Sequence, residues 1–150
     1  MALDNSATTL ILSALVLAGC LAAGQGIAGG RERPLAPCPA SHNCVSSLAE
    51  DEQHRVAPLP FTGTASEAMT RLASVLHELP RTAIVEADGS YLHAESRSAL
   101  FRFVDDVEFL ADEAAKVIHV RSASRLGSSD LGVNRRRVES IRKLWETRAP

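Results

Sequence analysis

The sequence predicts an α+β domain in which a four-stranded antiparallel meander, with room for one further edge strand, carries two helices on one face. Three observations lead there. A capping box at Thr64-Ala-Ser-Glu67 opens a run of apolar residues at helical spacing. From Arg81 the apolar period falls to two and stays there through successive turn signals. A second amphipathic run follows Asn134 and closes the chain. With 150 residues, 45% of them hydrophobic, the chain holds one ordinary core and therefore one domain.

The first 19 residues read as a signal or anchor segment. Ala7 to Leu17 is apolar, and Leu17-Ala18-Gly19-Cys20 ends it with small residues before a cysteine. This end resembles a bacterial lipobox, in which Cys20 becomes the lipidated first residue of the mature protein, each acyl chain adding about 0.8 kcal/mol of membrane affinity per buried methylene. The start, Met-Ala-Leu-Asp-Asn, departs from a secretory leader because it lacks positive charge. An uncleaved anchor and an ordinary cleavage site near Ala23 are the alternatives. Residues 20–37, rich in Gly, Ala and Pro, read as a flexible tether, and residues 38–150 as the domain. The expected location is the cell envelope, membrane-anchored and facing the periplasm.

Cys38 and Cys44 enclose five residues. In an exported protein so close a pair is expected to form a disulfide, worth roughly 2.4 kcal/mol for a loop of this length in the chain-entropy view. The competing use is a metal site from Cys38, His42 and Cys44 with His54, but that spacing matches no common zinc pattern, and no metal or cofactor is expected.

The elements then follow in order. Val56 to Phe61, broken by two prolines, suits an edge strand. Met69, Leu72, Leu76 and Leu79 form the stripe of a helix that starts at the Thr64 cap and stops before Pro80. Asp88-Gly89 between alternating runs signals a hairpin. If Ala87 pairs Ser90, Val85 faces Leu92 on the apolar side, while Tyr91, His93 and Glu95 share the polar side. Leu100 to Leu110 and Lys116 to Ala123 are the third and fourth strands of the meander. The last helix, from about Asn134 to Glu146, is expected to be capped by Asn134 and to bury Val138, Ile141 and Trp145. This order resembles the half-repeat of TATA-binding-protein-like folds, an analogy of architecture only. The formal net charge of -2 and six aromatic residues in the chain make nucleic acid a poor partner.

Several motifs stand out: Cys38-Pro39 with Asn43-Cys-Val-Ser-Ser47, Tyr91-Leu-His-Ala-Glu95, Phe103-Val-Asp-Asp-Val-Glu-Phe109, Arg121-Ser-Ala-Ser-Arg125, Asp130-Leu-Gly-Val-Asn-Arg135 and Arg137-Val-Glu139. Together they resemble the bacterial and plastid family called domain of unknown function 1499, over about Pro37 to Leu144. The resemblance implies a small, often exported or membrane-anchored protein and supplies no catalytic residues. His42 stands where that family would have proline, which weakens the metal reading further.

The richest stretch is residues 121–137, with five Arg, four Ser, two Gly, an Asp and an Asn ahead of a helix. Glycines that let the backbone turn, hydroxyl and guanidinium donors and a helix N-terminus are the parts of an anion site. The residues expected to bind are Arg121, Ser122, Ser124, Arg125, Gly127, Asn134, Arg135 and Arg137, with Asp105, Asp106 and Asp130 as structural partners. Arg135 to Arg137 lie where the helix dipole is positive, so a negative partner is expected to offset them. The bland alternative is that Arg121 or Arg125 pairs with Asp105 or Asp106 across neighbouring strands. An anionic small molecule or lipid headgroup is the ligand expected of a non-catalytic module. An envelope hydrolase using His93 or His119 as base, or a purely structural interaction domain, are the rivals; the sequence has no nucleophile elbow to support the former.

Overall fold

The computed structural model describes residues 34–98 and 102–148. The leader, Cys20 and the tether as far as residue 33 lie outside the described residues, as does the strand start expected at Leu100. Leu35, read as tether, is buried, so the packed part of the chain begins before Cys38.

The elements are β1 (Cys44–Ser46), β2 (Leu59–Pro60), α1 (Ala65–His77), β3 (Thr82–Asp88), β4 (Tyr91–Arg97), β5 (Val104–Asp112), β6 (Val117–Ser124) and α2 (Val133–Thr147). The sheet is antiparallel in the order β1-β6-β5-β4-β3, and β2 also pairs with β6. The edge beside β6 is thus shared. β1 covers its far half, with Cys44 opposite Ala123, and β2 its near half, with Leu59 opposite Ile118. Pro60 is tolerated because it sits on that edge, where a missing amide leaves no ladder bond unmade.

Residues of β5 and β6 alternate between the two faces, as period two requires. Val107, Phe109, Ala111, Ile118 and Val120 line the inner face with Leu92 and Ala94 of β4, and both helices close over it. From α1 come Met69, Leu72, Val75 and Leu76; from α2 come Val138, Ile141 and Trp145. Each such side chain stabilises the fold by roughly 1.5–3 kcal/mol on burial. The capping box of α1 is complete, Glu67 returning to the Thr64 amide. Trp145 donates from Nε1 to the Pro60 carbonyl at 2.9 Å, and the Arg71 guanidinium lies 3.6 Å over its ring.

The hairpin between β3 and β4 differs from expectation by one residue. Gly89 and Ser90 form the loop, Asp88 pairs Tyr91, Ala87 pairs Leu92 and Glu86 pairs His93. Gly89 has φ of 56°, and glycine at the first loop position is the arrangement of a type II′ turn. A register shift between Ile84 and Glu86 then bulges Val85 outward and returns Ile84 to the inner face opposite Ala94. Val85 is consequently exposed instead of facing Leu92. The faces of β4 still divide into Leu92 and Ala94 inside and Tyr91, His93 and Glu95 outside.

Candidate functional site

The Arg-rich segment is divided by the sheet. Arg121 and Arg125 extend from β6 and its end toward the outer face, where no helix packs among the described residues. There Arg121 donates from Nη1 to Glu108 at 2.8 Å, and Glu108 also accepts from the Tyr91 hydroxyl at 2.9 Å. Arg125 is bidentate to Asp106, at 2.9 and 2.7 Å, and reaches Glu95 at 2.6 Å. His93 Nε2 meets Asp106 at 2.7 Å. The Arg125 guanidinium holds both carboxyls, Asp106 and Glu95, below their usual range, against a smaller opposing effect of burial.

Arg137 goes the other way, into the layer between sheet and α2. Its guanidinium pairs with Asp105, Arg137 Nη2 meeting Asp105 Oδ2, and its Nη1 donates to Ser122 Oγ at 3.0 Å and to Asn134 Oδ1 at 2.6 Å. The Asp105 and Arg137 side chains are only 6% and 11% exposed. Ser122 Oγ donates to Asn134 Oδ1 at 2.6 Å, while Asn134 Nδ2 reaches Asp130, Ser124 Oγ and the Asn43 carbonyl at 2.7, 3.0 and 3.0 Å. Asn43 in turn donates to the Gly127 carbonyl at 2.6 Å. One closed network therefore joins β5, β6, α2, the loop and the segment before β1.

Asn134 is not the helix cap. The N-cap is Gly132, left-handed with φ of 77° and without a side chain to accept. Asp130 serves instead, taking the Gly132 and Asn134 amides at 2.8 Å each, which leaves Asn134 free to turn inward as a fully buried bridge. Burial pushes the Asp130 carboxyl up, but these amides outweigh it and hold it below the ordinary value. Arg135 donates to the Gln53 and Arg55 carbonyls at 2.8 Å, and Arg136 to the Leu131 carbonyl at 2.8 Å. Of the three arginines in the first turn, Arg137 alone meets a carboxylate among the described residues; the other two rest on carbonyl oxygens.

The loop itself walls a cavity of about 520 Å³. Phe103, Leu126, Leu131 and Val133 rim it, and Asp105, Ser124 and Asp130 lie at its base with Gly127 in the wall. Leu126 and Leu131 are 70% and 85% exposed. Of the residues expected to bind, Ser124 and Gly127 line this cavity; Ser122, Asn134 and Arg137 lie in the network beside it, and Arg121, Arg125 and Arg135 are elsewhere. The four apolar rim residues and Asn43 went unassigned from sequence. The signal available for the former was leucine at two exposed-looking positions of a Ser/Gly loop.

His119 and His54 are both held by hydrogen bonds. His119 Nδ1 lies 3.2 Å from Ser47 Oγ, which accepts from the Val120 amide at 3.0 Å, a tie between the end of β1 and β6. His54 is held by Asp51 at 2.8 Å and the Ser41 carbonyl at 3.1 Å. Cys38 and Cys44 form a disulfide with S–S 2.05 Å. That bond overturns the metal alternative, since it removes both thiolates from the Cys38, His42, Cys44 and His54 set.

A family model described as Protein of unknown function (DUF1499) matches residues 34–144, and the chain belongs to that family. No curated protein and no solved structure matches the chain.

Proposed function

We propose that the protein is a non-catalytic binding module of the cell envelope, and that it receives the apolar part of a small ligand in the cavity between the 124–133 loop and Phe103. The carrying observation is the rim: four large apolar side chains held open to solvent around a cavity of ligand size over a hydrogen-bonded polar base. Water gains nothing from such a rim, whereas a ligand covering one leucine gains roughly 1.5–3 kcal/mol. The base is charge-compensated, because Asp105 meets Arg137 and Asp130 meets two amides, so it suits a hydroxyl or amide end of the ligand.

The anion expected at Arg121, Arg125, Arg135 and Arg137 fits this loop less well. Each guanidinium already has internal acceptors, and a ligand would have to displace them. The hydrolase reading loses support from the same geometry: the Ser47–His119 pair has no carboxylate on the imidazole among the described residues, and His93 meets Asp106 rather than a hydroxyl.

Membrane attachment belongs to the same proposal, through lipid on Cys20 or an uncleaved anchor. It is supported by the apolar leader ending in Leu-Ala-Gly-Cys. The intact mass of protein extracted from membranes should show acylation at Cys20. The cavity is tested with the uncharged dye Nile red. Leu126→Ser with Leu131→Ser should weaken dye binding at least tenfold, about 1.4 kcal/mol, with the melting temperature unchanged. Unaltered dye affinity in that double variant sinks the proposal.

A further inference from the structure

A second cavity, of about 440 Å³, opens at the end of the sheet where β3 begins and β4 ends. It is lined by three arginines, Arg81, Arg97 and Arg102, with Thr82 and Ser98, and by no carboxylate among the described residues. We infer that this cavity is an anion site that takes a phosphate group, and that the anion expected of this protein belongs here and not on the 121–137 segment.

The contrast with that segment lies in what the guanidiniums touch. Arg81 uses one donor, Nε, on the Arg97 carbonyl at 3.1 Å. Arg97 has a long contact of 3.3 Å with Glu95, whose carboxylate already accepts from Arg125 at 2.6 Å. The Arg102 side chain makes no hydrogen bond or ion pair among the described residues. Three like charges around one opening repel each other until an anion enters, and the planar guanidinium fork matches phosphate oxygens two at a time. Ser98 supplies a hydroxyl donor at the same opening, since its Oγ only accepts, from the Phe103 amide at 3.0 Å, whereas the Thr82 hydroxyl donates to the Pro80 carbonyl at 3.4 Å. Arg81 and Arg102 both hold the left-handed backbone region, at φ of 57° and 55°, where glycine would be less strained.

Phosphate has two sources here, a free ion or ester and a lipid headgroup. Ser98 lines both this cavity and the apolar one, so a single amphipathic phosphate ester spans the two. That last step alone rests on the apolar reading of the first cavity.

The test uses the full chain in two arms. Calorimetric titration with inorganic phosphate reads the free-ion source, and sedimentation with phosphatidylglycerol vesicles against phosphatidylcholine vesicles reads the headgroup source. Saturable, salt-sensitive binding in either arm is expected, weakened roughly tenfold by Arg102→Gln and only partly restored by Arg102→Lys, which keeps the charge without the fork. Arg102→Gly should lose binding equally while its melting temperature does not fall, which separates loss of the site from loss of the fold. Binding in the vesicle arm alone assigns the headgroup. No binding in either arm, or binding indifferent to Arg102→Gln, overturns the inference; Nile red binding is read separately and does not depend on it.

Discussion

Asp105 and Asp106 are neighbours in β5, yet the sheet sends them to opposite sides and gives them different roles. Asp105 is buried under α2 against Arg137, within a network that also holds Ser122, Asn134, Ser124 and Asp130. Asp106 lies on the outer face, where Arg125 and His93 share it and solvent reaches the guanidinium. The inner pair forms where few waters compete, so removing one partner strands a charge. The outer pair forms in high dielectric, where the gain is modest and salt screens it. Carboxylates adjacent in sequence thus brace two different things: Asp105 the floor beneath the loop cavity, Asp106 the register of three strands.

The largest expected effect breaks the inner side. Arg137→Ala should cost about 3–5 kcal/mol by chemical denaturation, because it leaves Asp105 buried without a partner. The double change Asp105→Leu with Arg137→Met should recover most of that loss, since it removes both charges while keeping volume. If the single variant loses no more than Arg125→Gln does, the inner and outer networks are equivalent and the comparison fails.

A smaller loss, about 2 kcal/mol, is expected of Asn134→Ala, which deprives Asp130, Ser122 and the Asn43 carbonyl of a shared partner. Its distinctive sign is local. Amide exchange should quicken in the 124–133 loop and around Asn43 before it changes in β3 and β4. Uniform acceleration throughout the sheet would show that Asn134 supports the whole fold and not the loop.

The smallest effect sharpens the outer side. Arg125→Gln should reduce stability only slightly at neutral pH, and its signature is acid dependence. Asp106 and Glu95 have folded values held below their unfolded ones, so the stability they contribute is full above an unfolded value near ~4 and lost as pH falls through the folded values. The gap between wild type and variant should therefore narrow as pH falls below about 4 through the lowered folded values. A gap that persists unchanged at low pH would mean that Arg125 acts by packing.

The elements with local causes were legible without coordinates. The Thr64–Glu67 box is written in four consecutive residues, and the stripe from Met69 to Leu76 needs only helical spacing. The same holds for the apolar face of Leu92 and Ala94. Where two local signals competed, the reading slipped: Asp88-Gly89 and Gly89-Ser90 are both hairpin pairs, and the ladder chose the second and absorbed the difference in a bulge at Val85. β1 was missed because three residues are too few to show a period, and it exists only through β6.

By itself the sequence determined the α+β class, the positions of both helices, the alternation of faces along the strands and the short cysteine pair, all of which rest on interactions within a few residues. Tertiary structure alone decided which acceptor each arginine meets. Arg137 reaches Asp105 across 32 positions and Arg135 reaches Gln53 across 82. A guanidinium has five donors and a long, flexible stem, so its partner is set by whatever the folded chain brings within its reach. That freedom is why a run of arginines that looked like one site in the sequence was divided between two faces of a sheet, while three arginines outside that run, Arg81, Arg97 and Arg102, came to line one cavity.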